Sequence, residues 1–106
     1  MLHVGGSDFR YLPGGDLIKS GLSDLANGKN TVPALLVSIG SPRLETLGIH
    51  VLHPLPSPEK ELYRQLSMDN SDAAHSRYNA LIRRLVSFER AYETGVFSVN
   101  RLIKKI

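Results

Sequence analysis

The stretch of sequence that decides the fold is residues 73–93, AAHSRYNALIRRLVSFERAYE. Large apolar side chains recur in it every three or four residues, the spacing of one face of an α-helix. These residues are Tyr78, Leu81, Ile82, Leu85, Phe88 and Tyr92. At about 100° per residue they fall within an arc of roughly 120°, the width of a stripe that faces a core. The spacing predicts a long C-terminal spine helix.

A shorter apolar pattern follows in residues 96–106, VFSVNRLIKKI. Gly95 is expected to end the long helix, because glycine is the usual residue at a helix C-terminus. The apolar residues of the last segment again share one side of a helix. They are Val96, Val99, Leu102, Ile103 and Ile106. This segment is predicted to be a separate helix that folds back on the long one or contacts another molecule.

Before the long helix, Ser57, Pro58 and Glu59 form a typical helix start, with a cap, a proline and an acid in the first turn. The chain as a whole is predicted to be a single domain, 1–106, because about 100 residues support one core of normal size. Within it we expect three parts. They are an irregular arm (1–15), short helices (16–48) and a helical hairpin or bundle (54–106).

The segment NTVPALLVSIG, residues 30–40, is open to two interpretations. A cap at Asn30 or Thr31 followed by Pro33 favours a helix, and Ser41-Pro42 would then begin a further short helix. The apolar run 34–39 also fits a buried strand, with 49–53 as its partner. The fold class is therefore predicted to be mostly α, with about five helices in a small bundle; the alternative is an α/β fold with that strand pair.

The composition limits the chemistry that is available. The chain of 106 residues has no Cys, which excludes disulfides, thiolate metal sites and a cysteine nucleophile, and which fits a reducing compartment. The sequence shows neither a signal peptide nor an apolar run of the roughly 20 residues that a membrane helix needs. A cytoplasmic protein without a membrane partner is expected.

Known catalytic patterns are also missing from the sequence. The glycine pairs in GGSD (5–8) and PGGD (13–16) lack the spacing of nucleotide-binding loops. His50 and His53 are three residues apart, and not the four that a zinc-binding helical pair requires. We therefore predict a non-enzymatic protein with no metal site, no cofactor and no small-molecule substrate.

The net charge of +3 is unevenly distributed, because residues 1–56 are neutral while residues 74–106 carry +5. The seven cations of the C-terminal part are candidate phosphate contacts. They are Arg77, Arg83, Arg84, Arg90, Arg101, Lys104 and Lys105. On the helical projection Arg83 and Arg90 lie almost opposite the apolar stripe. This charge favours a polyanion or an acidic partner.

Two functions follow from these patterns. The first is a small interaction or regulatory protein that forms a homodimer, or docks on a larger protein, through its amphipathic helices. Its candidate contact residues are Tyr63, Phe88, Tyr92, Val99, Leu102, Ile103 and Ile106. The alternative is a nucleic-acid-binding module that uses the basic C-terminal helices on phosphates.

Overall fold

Four α-helices make up most of the part of the chain that the structure describes. The computed structural model describes the backbone of residues 11–105 and the side chains of residues 11–95. The helices are α1 (Gly15–Ala26), α2 (Val32–Thr46), α3 (Pro58–Asp69) and α4 (Ala74–Lys105). The mostly α prediction is confirmed. The strand-pair alternative is not supported, because residues 34–39 lie inside α2 and no strand occurs in the described range.

The central element is α2, which packs against α1, α3 and α4. Its residues 34–38 are all buried, and so is Leu44 one to two turns later. A helix that is apolar on every side is stable only when other elements surround it. The core therefore forms around α2, and Ile18 of α1, Leu62 of α3 and Phe88 of α4 reach it from the three neighbouring helices.

Two helices begin where the sequence predicts. The Thr31 hydroxyl accepts a hydrogen bond from the Ala34 N–H at 3.2 Å, and Pro33 lies in the first turn of α2. Ser57 precedes Pro58 at the start of α3, although its side chain makes no capping hydrogen bond. Thr31 also donates to Asp24 Oδ2 at 2.6 Å, which ties the end of α1 to the start of α2.

Residues 11–105 form four helices, one fewer than the predicted number of about five, because two expected breaks do not occur. Pro42 lies inside α2 and costs one backbone hydrogen bond. Gly40 and Leu44 on either side of Pro42 are both buried, so packing holds the two parts in one helix. Gly95 lies inside α4, which continues to Lys105. Glycine in a helix interior costs only about 1 kcal/mol, and the helix tolerates it.

Two glycines allow the helices to cross closely. A Cβ atom built on Gly21 of α1 would lie 2.3 Å from the Pro33 carbonyl oxygen and 2.4 Å from Val37 Cγ2 of α2. A Cβ atom on Gly40 of α2 would lie 2.8 Å from Leu85 Cδ1 of α4. All three distances are shorter than any van der Waals contact, so only glycine fits these crossings as they stand.

The segment between α2 and α3 is held against the core by side-chain hydrogen bonds. Ile49 and Val51 are buried, and the Val51 N–H donates to Glu45 Oε2 at 2.9 Å. The Leu55 N–H donates to the buried Ser38 hydroxyl at 2.9 Å. The bond from Val51 lowers the pKa of Glu45. These bonds satisfy backbone groups that no regular element pairs.

Among the described residues, no helix has both the length and the apolar composition needed to cross a bilayer.

Candidate interaction surface

The aromatic residues that were predicted as partner contacts on α4 lie on the face that packs into the protein. Phe88 has an exposed fraction of 0%. Its ring stacks against that of Tyr92 with the centroids 5.8 Å apart, and Tyr92 is half-buried at the edge of the core. Phe88 is thus not accessible to a partner in this fold, and Tyr92 is only partly accessible.

Tyr63 is the predicted contact residue that does reach the surface. Helix α3 buries Leu62 and Leu66, which leaves Tyr63 at the side of the helix with 40% of its surface exposed. Its ring centroid lies 5.8 Å from that of Tyr78 on α4, and burial raises the pKa of the Tyr78 hydroxyl. We call these two residues the tyrosine pair; it joins α3 to α4 and leaves aromatic surface exposed.

Met68 is an exposed apolar residue that the sequence reasoning missed. Its exposed fraction is 74%, and its sulfur accepts a hydrogen bond from Arg64 Nη1 at 2.9 Å. Arg64 is also held by Glu61, whose pKa this contact lowers. The four-residue spacing of Arg64 and Met68 was the available signal, because residues that far apart are neighbours on a helix.

The other predicted contacts fall outside the residues whose side chains are described, and they stay predictions. The apolar ones are Val99, Leu102, Ile103 and Ile106, and the cations are Arg101, Lys104 and Lys105.

Two of the four described arginines of α4 are paired with carboxylates. Arg77 Nη1 donates to Asp69 Oδ2 at the end of α3, at 2.6 Å. Arg84 Nη2 donates to Asp16 Oδ1 in the first turn of α1, at 3.4 Å. Both pairs are exposed, so each adds little to stability. These two ion pairs engage the arginines of α4 that lie nearest to the neighbouring helices.

Arg83 and Arg90 are different, because both are exposed and neither contacts a carboxylate in residues 11–95. They are seven residues apart on α4 and lie on its outer side, away from Leu85 and Phe88. The structure therefore divides the predicted phosphate contacts on α4 into a paired set and an unpaired set.

The border between α2 and α4 contains the two acidic residues of the C-terminal part. Arg43 Nη2 donates to Glu93 Oε1 at 2.5 Å. Glu89 is half-buried, and its Oε2 atom would lie 3.1 Å from a Cβ atom on Gly40. Burial raises the pKa of Glu89, while the charge of Arg43 opposes that shift. Glu93 thus joins α2 to α4 through Arg43, and Glu89 is partly buried at the same border.

A shallow cavity of about 270 Å³ lies between the start of α2 and the start of α3, and Lys60, Glu61 and Arg64 are among its lining residues. Within residues 11–95, no three His, Asp or Glu side chains come close enough together to hold a metal ion. His50 interacts with Glu45 through its Nδ1 atom, 3.1 Å from Glu45 Oε2.

Comparison of the chain with models of known protein families, with curated proteins and with solved structures returned no match.

Proposed function

We propose that the protein is a small non-enzymatic interaction or regulatory protein that binds through α4 and the tyrosine pair. The observation that carries this proposal is the length of α4. It has 32 residues, against 12 in α1, 15 in α2 and 12 in α3. At 1.5 Å per residue α4 is about 48 Å long and α2 about 22 Å. The shorter helices cover only part of it.

The contacts between α2 and α4 indicate the point on α4 at which α2 stops covering it. Gly40 lies against Leu85, and Arg43 pairs with Glu93 near the end of α2. Helix α2 ends at Thr46, whereas α4 continues for 12 residues beyond Glu93. The sequence of that continuation keeps apolar residues at helical spacing. An apolar stripe longer than the helix that covers it favours a contact with a second molecule.

A homodimer is the simplest form of this contact, because a single helical stripe can pair with its own copy around a two-fold axis. Sedimentation equilibrium of the full chain over a range of concentrations tests it. We expect a reversible dimer, and we expect Tyr63→Ser to weaken it. Leu52→Ser is the matched control, since Leu52 is an exposed apolar residue outside this surface.

Docking on a larger protein is the other form of the same function. It predicts that the isolated protein is a monomer. It also predicts that a pull-down with the full chain as bait, after chemical cross-linking, recovers a specific partner that the Tyr63→Ser variant no longer binds. A strict monomer from which no partner is recovered would contradict the proposal in both forms.

A second candidate function is nucleic-acid binding, which the unpaired Arg83 and Arg90 favour. It predicts binding of an oligonucleotide that weakens steeply as salt is added, because phosphate contacts release counterions. Fluorescence anisotropy at low salt tests this function. Absence of binding there would exclude it.

A further inference from the structure

The outer side of α4 holds a cluster of three arginines around one serine. Ser87 lies four residues after Arg83, three after Arg84 and three before Arg90. Side chains at these spacings are neighbours on a helix, with Cβ atoms about 5–6 Å apart. All four residues are exposed. The helix thus presents three guanidinium groups around a single hydroxyl group.

The hydroxyl of Ser87 is available to a ligand. Serine and threonine inside helices often donate to the carbonyl four residues earlier, as Ser38 does to Ala34 and Thr46 does to Pro42. The side chain of Ser87 makes no hydrogen bond within the described part of the chain. Its donor is therefore unused, and it points from the same surface as the arginines.

The acids near this cluster do not neutralise it. The one carboxylate in reach is Asp16, at 3.4 Å from Arg84, while Glu93 is engaged by Arg43 of α2. Arg83 and Arg90 have no acidic partner in residues 11–95. The three guanidinium groups around Ser87 carry the same charge, so an anion placed between them reduces their mutual repulsion.

We propose that Arg83, Arg84 and Arg90 form, together with Ser87, a binding site for a phosphate group. The planar guanidinium forms two parallel hydrogen bonds to phosphate oxygens, and the serine hydroxyl donates a further one. Arg83, Ser87 and Arg90 lie opposite the core face of α4 and Arg84 lies beside it, so the site is separate from the docking surface proposed above. It uses the arginines of the second candidate function, but it requires only a phosphate group and no nucleic acid.

The solvent exposure of the site sets the expected affinity. Exposed charges interact in a high dielectric and are screened by salt, so a single phosphate compound is expected to bind weakly at low ionic strength and more weakly as salt is added. A polyanion that places several phosphates on the same face binds more tightly. The ligand class is therefore a compound that carries accessible phosphate groups.

The test is an NMR titration of the labelled full chain with inorganic pyrophosphate at low salt. We expect saturable shifts of the Arg83, Arg84 and Arg90 side-chain Nε signals and of the Ser87 amide signal. Changing Arg83→Gln and Arg90→Gln together should weaken binding about tenfold, and Ser87→Ala about threefold, since charged hydrogen bonds are the stronger ones. All these residues are exposed, so the variants are expected to fold, and circular dichroism checks that they do.

Arg77→Gln is the matched control, because Arg77 is an exposed arginine of the same helix that lies ten residues before Ser87 and outside the cluster. It should change the affinity for pyrophosphate by less than about twofold, as expected for an exposed cation outside the site. Absence of saturable shifts, or an equal loss from Arg77→Gln and from the double variant, would overturn the site.

A single-stranded RNA of about 12 nucleotides identifies the source of the phosphate. If the source is a nucleic acid, the RNA binds more tightly than pyrophosphate, and the slope of log K against log salt is about −2 for three phosphate contacts. If the RNA binds no more tightly, the site takes a small phosphate compound and nucleic-acid binding is excluded. Dimerisation is measured separately by sedimentation, so failure of the docking proposal and failure of this site are distinguishable.

Discussion

Helices α2 and α4 differ in how much of their surface is buried. In α2 five consecutive residues, 34–38, are buried, and three helices surround it. In the described part of α4 only Ala74, Leu85 and Phe88 are buried, and the rest of the helix is partly or fully exposed. The helix with the clearest amphipathic spacing lies at the outside of the molecule, and the helix with no preferred face lies at its centre.

The difference shows what a hydrophobic stripe indicates. A helix with one apolar face packs on one side and leaves the other to the solvent, whereas a helix that is apolar all round must be enclosed. Stability is therefore expected to depend mainly on α2, and binding mainly on α4. Four predictions test the stability part of this division.

The largest effect is expected when the core side of α2 is truncated. Leu36 is fully buried, so Leu36→Ala should lower the free energy of unfolding by about 2–5 kcal/mol. Val86→Ala on α4 is the control, because Val86 is exposed and should cost less than about 0.5 kcal/mol. Urea denaturation measures both. Similar losses from the two variants would contradict the central position of α2.

The close crossings of α2 should be the next most sensitive positions. Gly21→Ala places a methyl group against the Pro33 backbone carbonyl, and backbone yields little, so a loss of about 1–3 kcal/mol is expected. Gly40→Ala meets only the end of the Leu85 side chain and the Glu89 carboxylate. Because these atoms can move, Gly40→Ala should cost less. Thermal unfolding of the two variants shows which substitution lowers the stability more. A larger loss of stability in Gly40→Ala would show that the α2–α4 crossing is the tighter one.

An opposite and smaller effect is expected within α4. Gly95 is in a helix and a Cβ atom there would have no neighbour within 4 Å among the described residues. Gly95→Ala should therefore raise the free energy of unfolding by about 0.5–1 kcal/mol through helix propensity. Thermal unfolding of this variant beside the wild type measures it. A loss of stability would mean that α4 does not continue as a helix at this position.

The smallest effect is a pH dependence that differs in sign between two glutamates. Glu89 has a raised pKa, so its contribution to stability is present below the unfolded-state pKa and is lost as the pH rises through the folded-state pKa. Glu45 has a lowered pKa, so its contribution is present above the unfolded-state pKa and is lost as the pH falls through the folded-state pKa.

Two substitutions separate these contributions. Glu89→Gln should make the protein more stable than the wild type at neutral pH, and Glu45→Gln should make it less stable there. Both differences should become smaller in acid, where the wild-type carboxyls are protonated. Urea denaturation of the two variants at neutral and at acidic pH checks this. If both variants changed the stability at neutral pH in the same direction, the assigned environments of Glu89 and Glu45 would be contradicted.

Much of the fold was predictable from local sequence signals. The stripe from Tyr78 to Tyr92 predicts most of α4, and the cap and proline signals predict the starts of α2 and α3. The two missing breaks were not predictable in this way. Whether a helix continues through Pro42 or Gly95 depends on tertiary packing and on the small cost of glycine, and neither is visible in a short window.

The candidate surfaces were only partly predictable, for a similar reason. Helical spacing places Phe88 on an apolar face, but the packing of α2 decides that this face is covered. Likewise all four described arginines of α4 have the same local sequence character. Only the positions of Asp16 and Asp69 on other helices separate the paired arginines from Arg83 and Arg90.

Residue-resolved amide hydrogen exchange of the full chain tests the central position of α2 most directly. Amides that open only on global unfolding belong to the enclosed part of a structure. We predict that the slowest-exchanging amides lie between Leu35 and Leu44, at protection factors that correspond to global unfolding. If the slowest amides lie in α4 instead, while α2 exchanges faster by local opening, the account is contradicted.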